Sequence, residues 1–288
     1  KRGGKVAEKI ALLTDSTSDL NPEVIERYNI HVLPLKVVYA DRQYDDRVDI
    51  TPEEVCATLD EEAPKTSVPT PYEAQQMLAR LQEEGFTHVL AVHISSGLSG
   101  TAEMVRMVSQ DFKDLVVEVI DSRSLSMGLG FIVHQAACWL EEKRPFAELV
   151  EKARALVDQM KIFFVVGTLE YLKRGGRIGK VSATVGELLN VKPIISINSE
   201  GVYYTYRKVR GRRRSIDELF EIARTFIEKE KCWVAVMHGA VPEEALYLKQ
   251  KVEGLANVDK LVTGQIGPVM LVHAGPGLLG IAVCPALD

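Results

Sequence analysis

The stretch Val89-Leu90-Ala91-Val92-His93-Ile94-Ser95-Ser96-Gly97-Leu98-Ser99-Gly100-Thr101 decides the fold class. Its first six residues are almost wholly aliphatic and read as a buried strand, and the glycine–serine loop after them opens a helix at Thr101. The same unit recurs on either side. Upstream, Ile10–Thr14 runs into Asp15-Ser16-Thr17-Ser18-Asp19 and a helix opening at Pro22. Downstream, Leu115–Ile120 runs into Asp121–Ser124 and a long helix to about Glu142. Thr51-Pro52-Glu53-Glu54 is a helix start with Thr51 as cap and proline at the first helical position. Thr66-Ser67-Val68-Pro69-Thr70-Pro71 is a rigid loop before a helix to about Glu84, and His31–Tyr39 is β-rich. Strand, loop and helix repeated in this way predict parallel βαβ units with right-handed crossovers.

The second half carries a different pattern. Ile162–Val166 reads as a strand, followed by a short helix ending at Lys173-Arg174-Gly175-Gly176. Pro193–Val209 reads as a hairpin turning at Asn198-Ser199-Glu200-Gly201. Helices around Ile216–Lys229 and Glu243–Gly254 flank a strand at Trp233–Met237, and Leu261–Cys284 is β-rich. The expected fold is therefore α/β in two domains. Residues 1–160 form a parallel-sheet, Rossmann-like domain; residues 161–288 form an α/β domain with a mixed or antiparallel sheet and helices on one face. A ligand cleft is expected between them. Residues 1–5, Lys-Arg-Gly-Gly-Lys, read as a mobile tail rather than a secretory leader.

Composition removes several classes. The chain has 288 residues and a net charge of −5, with 46% hydrophobic and 26% charged residues, an ordinary globular balance. A pI near 5.8 argues against general affinity for nucleic acid. No apolar run approaches the ~20 residues of a membrane helix. Cys56, Cys138, Cys232 and Cys284 are far apart and form no CxxC pair, which predicts no metal site and a reducing, cytoplasmic compartment.

Four segments carry chemistry. Ser95–Thr101 lies at a helix start, where unpaired N–H donors and the positive dipole end suit an anion; a plain glycine turn with a serine cap is the other reading. The segment fails the G-x-S-x-G elbow because Thr101 stands where glycine is required, which weakens a serine hydrolase or acyltransferase using Ser99 and His273. Arg174–Ser182 is not a Walker loop, since Arg174 and Val181 break that pattern. It leaves an arginine fork beside two glycines, for a ligand or for capping the preceding helix. His273 stands before the glycine-rich Gly275-Pro276-Gly277, a position more often structural than functional. Arg207-Lys208-Val209-Arg210-Gly211-Arg212-Arg213-Arg214 puts six cations in eight residues, either a solvated loop or a docking patch for an acidic protein surface. Asp41, Asp45, Asp46 and Asp49 lack the glycine and glutamate of a calcium loop and read as surface. No helix-turn-helix pattern supports a gene-regulatory module.

Seven segments in order resemble the DegV family, whose members include fatty-acid-binding subunits of bacterial fatty acid kinase. They are Thr14–Thr17, Thr66–Pro69, Ser95–Thr101, Asp121-Ser122 with Gly128–Gly130, Arg174–Ile178, Lys192–Ile194 and His273–Gly280. The resemblance implies two α/β domains holding one long-chain fatty acid, with no cofactor and no catalysis by the chain alone. It implies carboxylate contacts from Thr66 and Ser99, a hydrogen-bonded network reaching Arg177 and His273, and loop support from Ser95, Ser96, Gly97 and Gly100. It also implies a kinase catalytic subunit as partner, docking on Arg210, Arg212 and Arg213.

Overall fold

The computed structural model describes residues 8–181 and 191–287, so the tail expected over residues 1–5 lies outside it. The first half runs β1 (Ile10–Asp15), α1 (Pro22–Arg27), β2 (His31–Leu33), β3 (Lys36–Val38), β4 (Gln43–Asp45), α2 (Pro52–Glu62) and β5 (Lys65–Ser67). It continues through α3 (Pro71–Glu83), β6 (His88–His93), α4 (Thr101–Ser109), β7 (Val116–Asp121), α5 (Met127–Glu141) and α6 (Phe146–Gln159). The second half runs β8 (Lys161–Val165), α7 (Glu170–Arg174), β9 (Val191–Ile197), β10 (Tyr203–Arg210) and α8 (Arg212–Ile227). It closes with β11 (Cys232–His238), α9 (Pro242–Glu253), β12 (Val258–Gln265), α10 (Pro268–Ala274) and β13 (Leu279–Pro285).

The expected parallel sheet is present in the order β2-β1-β6-β7, every pair parallel. The second sheet, β10-β9-β8-β13-β11-β12, is mixed: β11 and β12 are parallel, and its other pairs are antiparallel. Helix starts follow the side chains. Thr51 with Glu54, and Thr70 with Glu73, each form a reciprocal capping box ahead of a proline.

Side-chain alternation on the second sheet separates two cores. Phe163 and Val165 face α8 and α9, packing with Leu219, Ala223, Leu248 and Val252. Phe164, Ala235 and Ala282 face the other way, into the core that also holds Leu12, Leu90 and Val92 of the parallel sheet. Helix α5 lies between the two sheets, touching β1 and β6 on one side and β11 and β13 on the other. Twelve of its fifteen residues are buried, which explains why its sequence is apolar all round instead of on one stripe. Truncating Phe131 at its centre would cost ~3–5 kcal/mol.

Three readings of the sequence need correction. Residues 65–67 form a strand in a small antiparallel sheet, β4-β3-β5, where the sequence suggested a loop. Residues 268–274 form helix α10, not β structure, so His273 lies on a last helical turn; a short, fully buried apolar run has no periodicity to reveal this. Asp46 is not a surface residue but 1% exposed.

Candidate functional site

Three buried polar clusters fix the elements that carry the predicted site residues. The Asp15 carboxylate accepts from Thr17 N (3.1 Å) and Thr17 Oγ1 (2.5 Å), from Ile94 N (2.9 Å), and lies 3.0 Å from His93 Nδ1. It thereby ties the end of β1 to the start of the serine loop. Lys36, 3% exposed, pairs with Asp45 at 2.6 Å and with Glu73, the capping-box partner of Thr70. These bonds tie β3 to β4 and to the first turn of α3, and β3 in turn pairs with β5, where Val37 stands opposite Thr66. Asp19 accepts from Arg47, from Ser126 and from Gly267 N, while Asp46 Oδ1 accepts from Val269 N at 3.0 Å. Two carboxylates from the first half therefore hold the N-terminus of α10, the helix that ends in His273.

The serine loop divides its hydroxyls. Ser95 is buried and donates to Gly201 O (2.7 Å) while accepting from Gly97 N; Ser96 donates to Asp121. Gly97 lies so close to the β9–β10 turn that a Cβ there would stand 2.6 Å from Gly201 O. Ser95, Ser96 and Gly97 thus build the loop. Gly100 is the N-cap residue of α4, with open space where a Cβ would be. Ser99 alone among these serines reaches the cavity, its Oγ 2.9 Å from Thr101 Oγ1.

Thr66, Ser99, Arg177 and His273 line one cavity, with Leu98 and Val269 among its apolar walls. Thr66 Oγ1 and His273 Nε2 are 2.6 Å apart. His273 Nδ1 lies against Gly175, where a Cβ would stand 2.2 Å away, and has no hydrogen-bond partner among the described residues. Burial, reinforced by the Arg177 charge, pushes His273 down to about 4, so the ring is neutral at pH 7. Arg177 donates to Leu98 O (3.2 Å) and Gly175 O (2.7 Å), which aims the guanidinium along the serine loop. No Ser99–His273 bond forms, because His273 Nε2 faces Thr66. Ser99 and His273 therefore do not stand as a nucleophile–base pair.

The sequence matches the family model described as uncharacterised protein, DegV family, over residues 9–286. The chain belongs to the DegV family. It is 46% identical to a DegV domain-containing protein of Clostridium acetobutylicum over 276 residues, covering 96% of this chain and 99% of that one. The fold is similar to that of a DegV family protein from Thermus thermophilus for which fatty acid binding is described, with a TM-score of 0.90 and 33% identity. That match covers 96% of this chain and 99% of the other. A stearic-acid-binding protein from Eubacterium ventriosum matches with a TM-score of 0.87 and 30% identity, over 96% and 98% of the two chains.

In this DegV chain a second cavity adjoins the first, and Leu125, Tyr203 and Met270 line both. Its remaining walls are almost all apolar, including Phe164, Met237, Ile266, Leu278 and Ile281. These residues escape motif reading because they come from both halves and look like ordinary core. Among the described residues no group of His, Cys, Asp and Glu could hold a metal, and no helix is long and apolar enough to cross a membrane.

The basic run spans the end of β10 and the first turn of α8. Arg212 does not project as a docking side chain: its guanidinium binds Glu244 and Gly277 O, and it is only 24% exposed. Arg213 stacks over Tyr247 at 3.6 Å yet stays exposed, as do Arg210 and Arg214. Three arginines in the first turn of a helix oppose its dipole, an arrangement that fold stability does not favour.

Proposed function

We propose that this protein binds one long-chain fatty acid and presents it to a partner kinase, which phosphorylates the carboxylate to an acyl phosphate. The observation that carries this reading is the adjoining pair of cavities, one rimmed by Thr66, Ser99, Arg177 and His273, the other oily. Fatty acid binding by the relatives from Thermus thermophilus and Eubacterium ventriosum supports it.

The chemistry divides between tail and head. Burying ~14 methylenes at about 0.8 kcal/mol each gives on the order of 11 kcal/mol before the cost of association. The carboxylate opposes entry, because an unpaired buried charge costs several kcal/mol. Thr66 and Ser99 hydroxyls donate to it and Arg177 supplies opposite charge. His273 is neutral, and in the tautomer that carries its proton on Nε2 it donates to Thr66 Oγ1, leaving the threonine proton for the carboxylate. The two domains, residues 1–160 and 161–288, clamp the ligand between them. Arg210 and Arg213 form the kinase-facing surface, and Arg214 joins them. The cavity pair requires no cofactor, and the four free cysteines suit work in the cytoplasm.

Lipid extraction of the purified protein followed by mass spectrometry tests the reading. Near-stoichiometric long-chain fatty acid is expected. A delipidated protein that takes up no fatty acid would overturn it.

A further inference from the structure

Tyr203 stands where the two cavities meet. Leu125, Tyr203 and Met270 line both, and of the three only the tyrosine carries a side-chain hydrogen-bond donor. Tyr203 is 5% exposed, yet its hydroxyl makes no hydrogen bond among the described residues. Buried phenols ordinarily find a partner, because an unmade hydrogen bond forfeits the solvation that the group gave up on folding. An enclosed hydroxyl at a cavity wall is therefore a donor for whatever fills that cavity.

The ring is held at this junction. Tyr203 pairs with Ile197 of β9, and its carbonyl accepts from Lys180 N at 2.6 Å. The aromatic ring meets Phe164 edge-on, with centroids 5.1 Å apart. Burial pushes the phenol well above its ordinary pKa, against the opposing pull of the Arg177 charge, so the donor proton is present at neutral pH.

The head-group donors lie elsewhere. Thr66, Ser99, Arg177 and His273 line the first cavity and none of them lines the second, whereas the ring of Tyr203 rests on Phe164, a wall of the second alone. The carboxylate is thus served before the ligand reaches the phenol, and what passes the phenol is the first part of the acyl chain. A bare methylene there leaves the hydroxyl unpaired, whereas an oxygen on the chain pairs it.

Resting on the fatty acid reading above, we infer that Tyr203 is a specificity-determining residue that recognises an oxygen substituent near the carboxyl end of the chain, which makes hydroxylated long-chain fatty acids the preferred ligand class. A hydroxyl close to the carboxyl end accepts from the phenol. One at the far end meets only the apolar walls of the second cavity and gains nothing. The penalty falls on the ligand that lacks the oxygen, because that ligand strands a buried donor.

The test uses the delipidated full chain, offered palmitate, 3-hydroxypalmitate and 16-hydroxypalmitate in competition and read by native mass spectrometry. The wild type should favour 3-hydroxypalmitate over palmitate by about tenfold, and Tyr203→Phe should bring that ratio close to one. Tyr203→Phe keeps the ring and removes a hydroxyl without a protein partner, so the delipidated variant should unfold at the same temperature as wild type or above it. An identical ratio of 3-hydroxypalmitate to palmitate in the two proteins would overturn the inference. So would an advantage shared by 16-hydroxypalmitate, or an equal loss of affinity for all three acids in Tyr203→Phe, which would make the phenol a carboxylate donor. Failure of the wild type to bind any of the three would instead sink the fatty acid reading, and this one with it.

Discussion

Thr66 Oγ1 lies 2.6 Å from His273 Nε2, although 207 positions separate the two residues. The contact joins a short strand of the first half to the last turn of α10, and both side chains line the candidate head-group cavity. Replacing Thr66 by valine keeps the shape and removes the hydroxyl. A carboxylate left short of one donor in a partly buried site costs about 1–3 kcal/mol, so fatty acid affinity should fall roughly 5- to 150-fold. Displacement of a fluorescent fatty acid reads the affinity, and Tm should move by only a few degrees. Equal affinity for the two proteins would remove Thr66 from the head-group site.

His273 predicts a pH dependence. Its folded pKa of about 4 lies below the ordinary value of 6.5, so between these pH values the unfolded chain binds more protons than the folded one. Its neutral form therefore contributes fully above about pH 6.5, and that contribution is lost as pH falls towards 4. His134 is also pushed down to about 4, chiefly by burial, and adds a loss of the same sign. The variant His273→Gln should thus flatten, without abolishing, the fall of stability between pH 6.5 and 4. Urea unfolding across that range measures it, and an unaltered slope would show that the ring titrates freely.

The sequence made the βαβ half legible because alternation of elements and proline-led capping boxes are local features. The Thr51–Glu54 and Thr70–Glu73 boxes lie where the residue types require. What escaped is what only tertiary packing decides. Helix α10 and strand β5 are too short for periodicity to identify, and both carry site residues. Asp46 looked like one of several surface acids because nothing local shows that α10 lies over it. Arg212 looked like its arginine neighbours, yet it alone meets Glu244 and Gly277 from distant elements. The head-group residues were named from family resemblance, while the residues shared between the cavities, such as Tyr203 and Met270, carried no signal beyond hydrophobicity.

That split within the basic run gives a second mutational contrast. Arg212→Ala leaves Glu244 without its partly buried partner and should destabilise the protein by about 1–3 kcal/mol. Reversing Arg210 and Arg214 to glutamate touches no ion pair among the described residues and puts acid in or beside the first turn of α8. Lipid content should stay unchanged and Tm within a few degrees of wild type, while kinase-coupled turnover falls, most strongly at low salt. Lipid loss in the double reversal, or coupling that persists at low salt, would place docking elsewhere.

Asp46 runs opposite in sign to His273. Burial pushes its carboxyl up to about 6, although the Ser16 hydroxyl, the Val269 amide and Arg47 pull the other way. Its Oδ2 has no partner among the described residues, so the charged form is poorly compensated. The folded chain here binds more protons than the unfolded one between about pH 4 and 6, and stability is lost as pH rises through that window. Asp46→Asn keeps the acceptor that holds Val269 N and abolishes the titration. The stability of the variant relative to wild type should therefore climb from pH 4 to 6 and level off above 7, by at most ~3 kcal/mol. Any fixed cost of burying the amide shifts the whole curve without changing its slope, so the slope is the quantity to read. A difference independent of pH would mean that Asp46 is ionised throughout, held by charges that this arrangement of Asp19, Arg47 and the start of α10 does not supply.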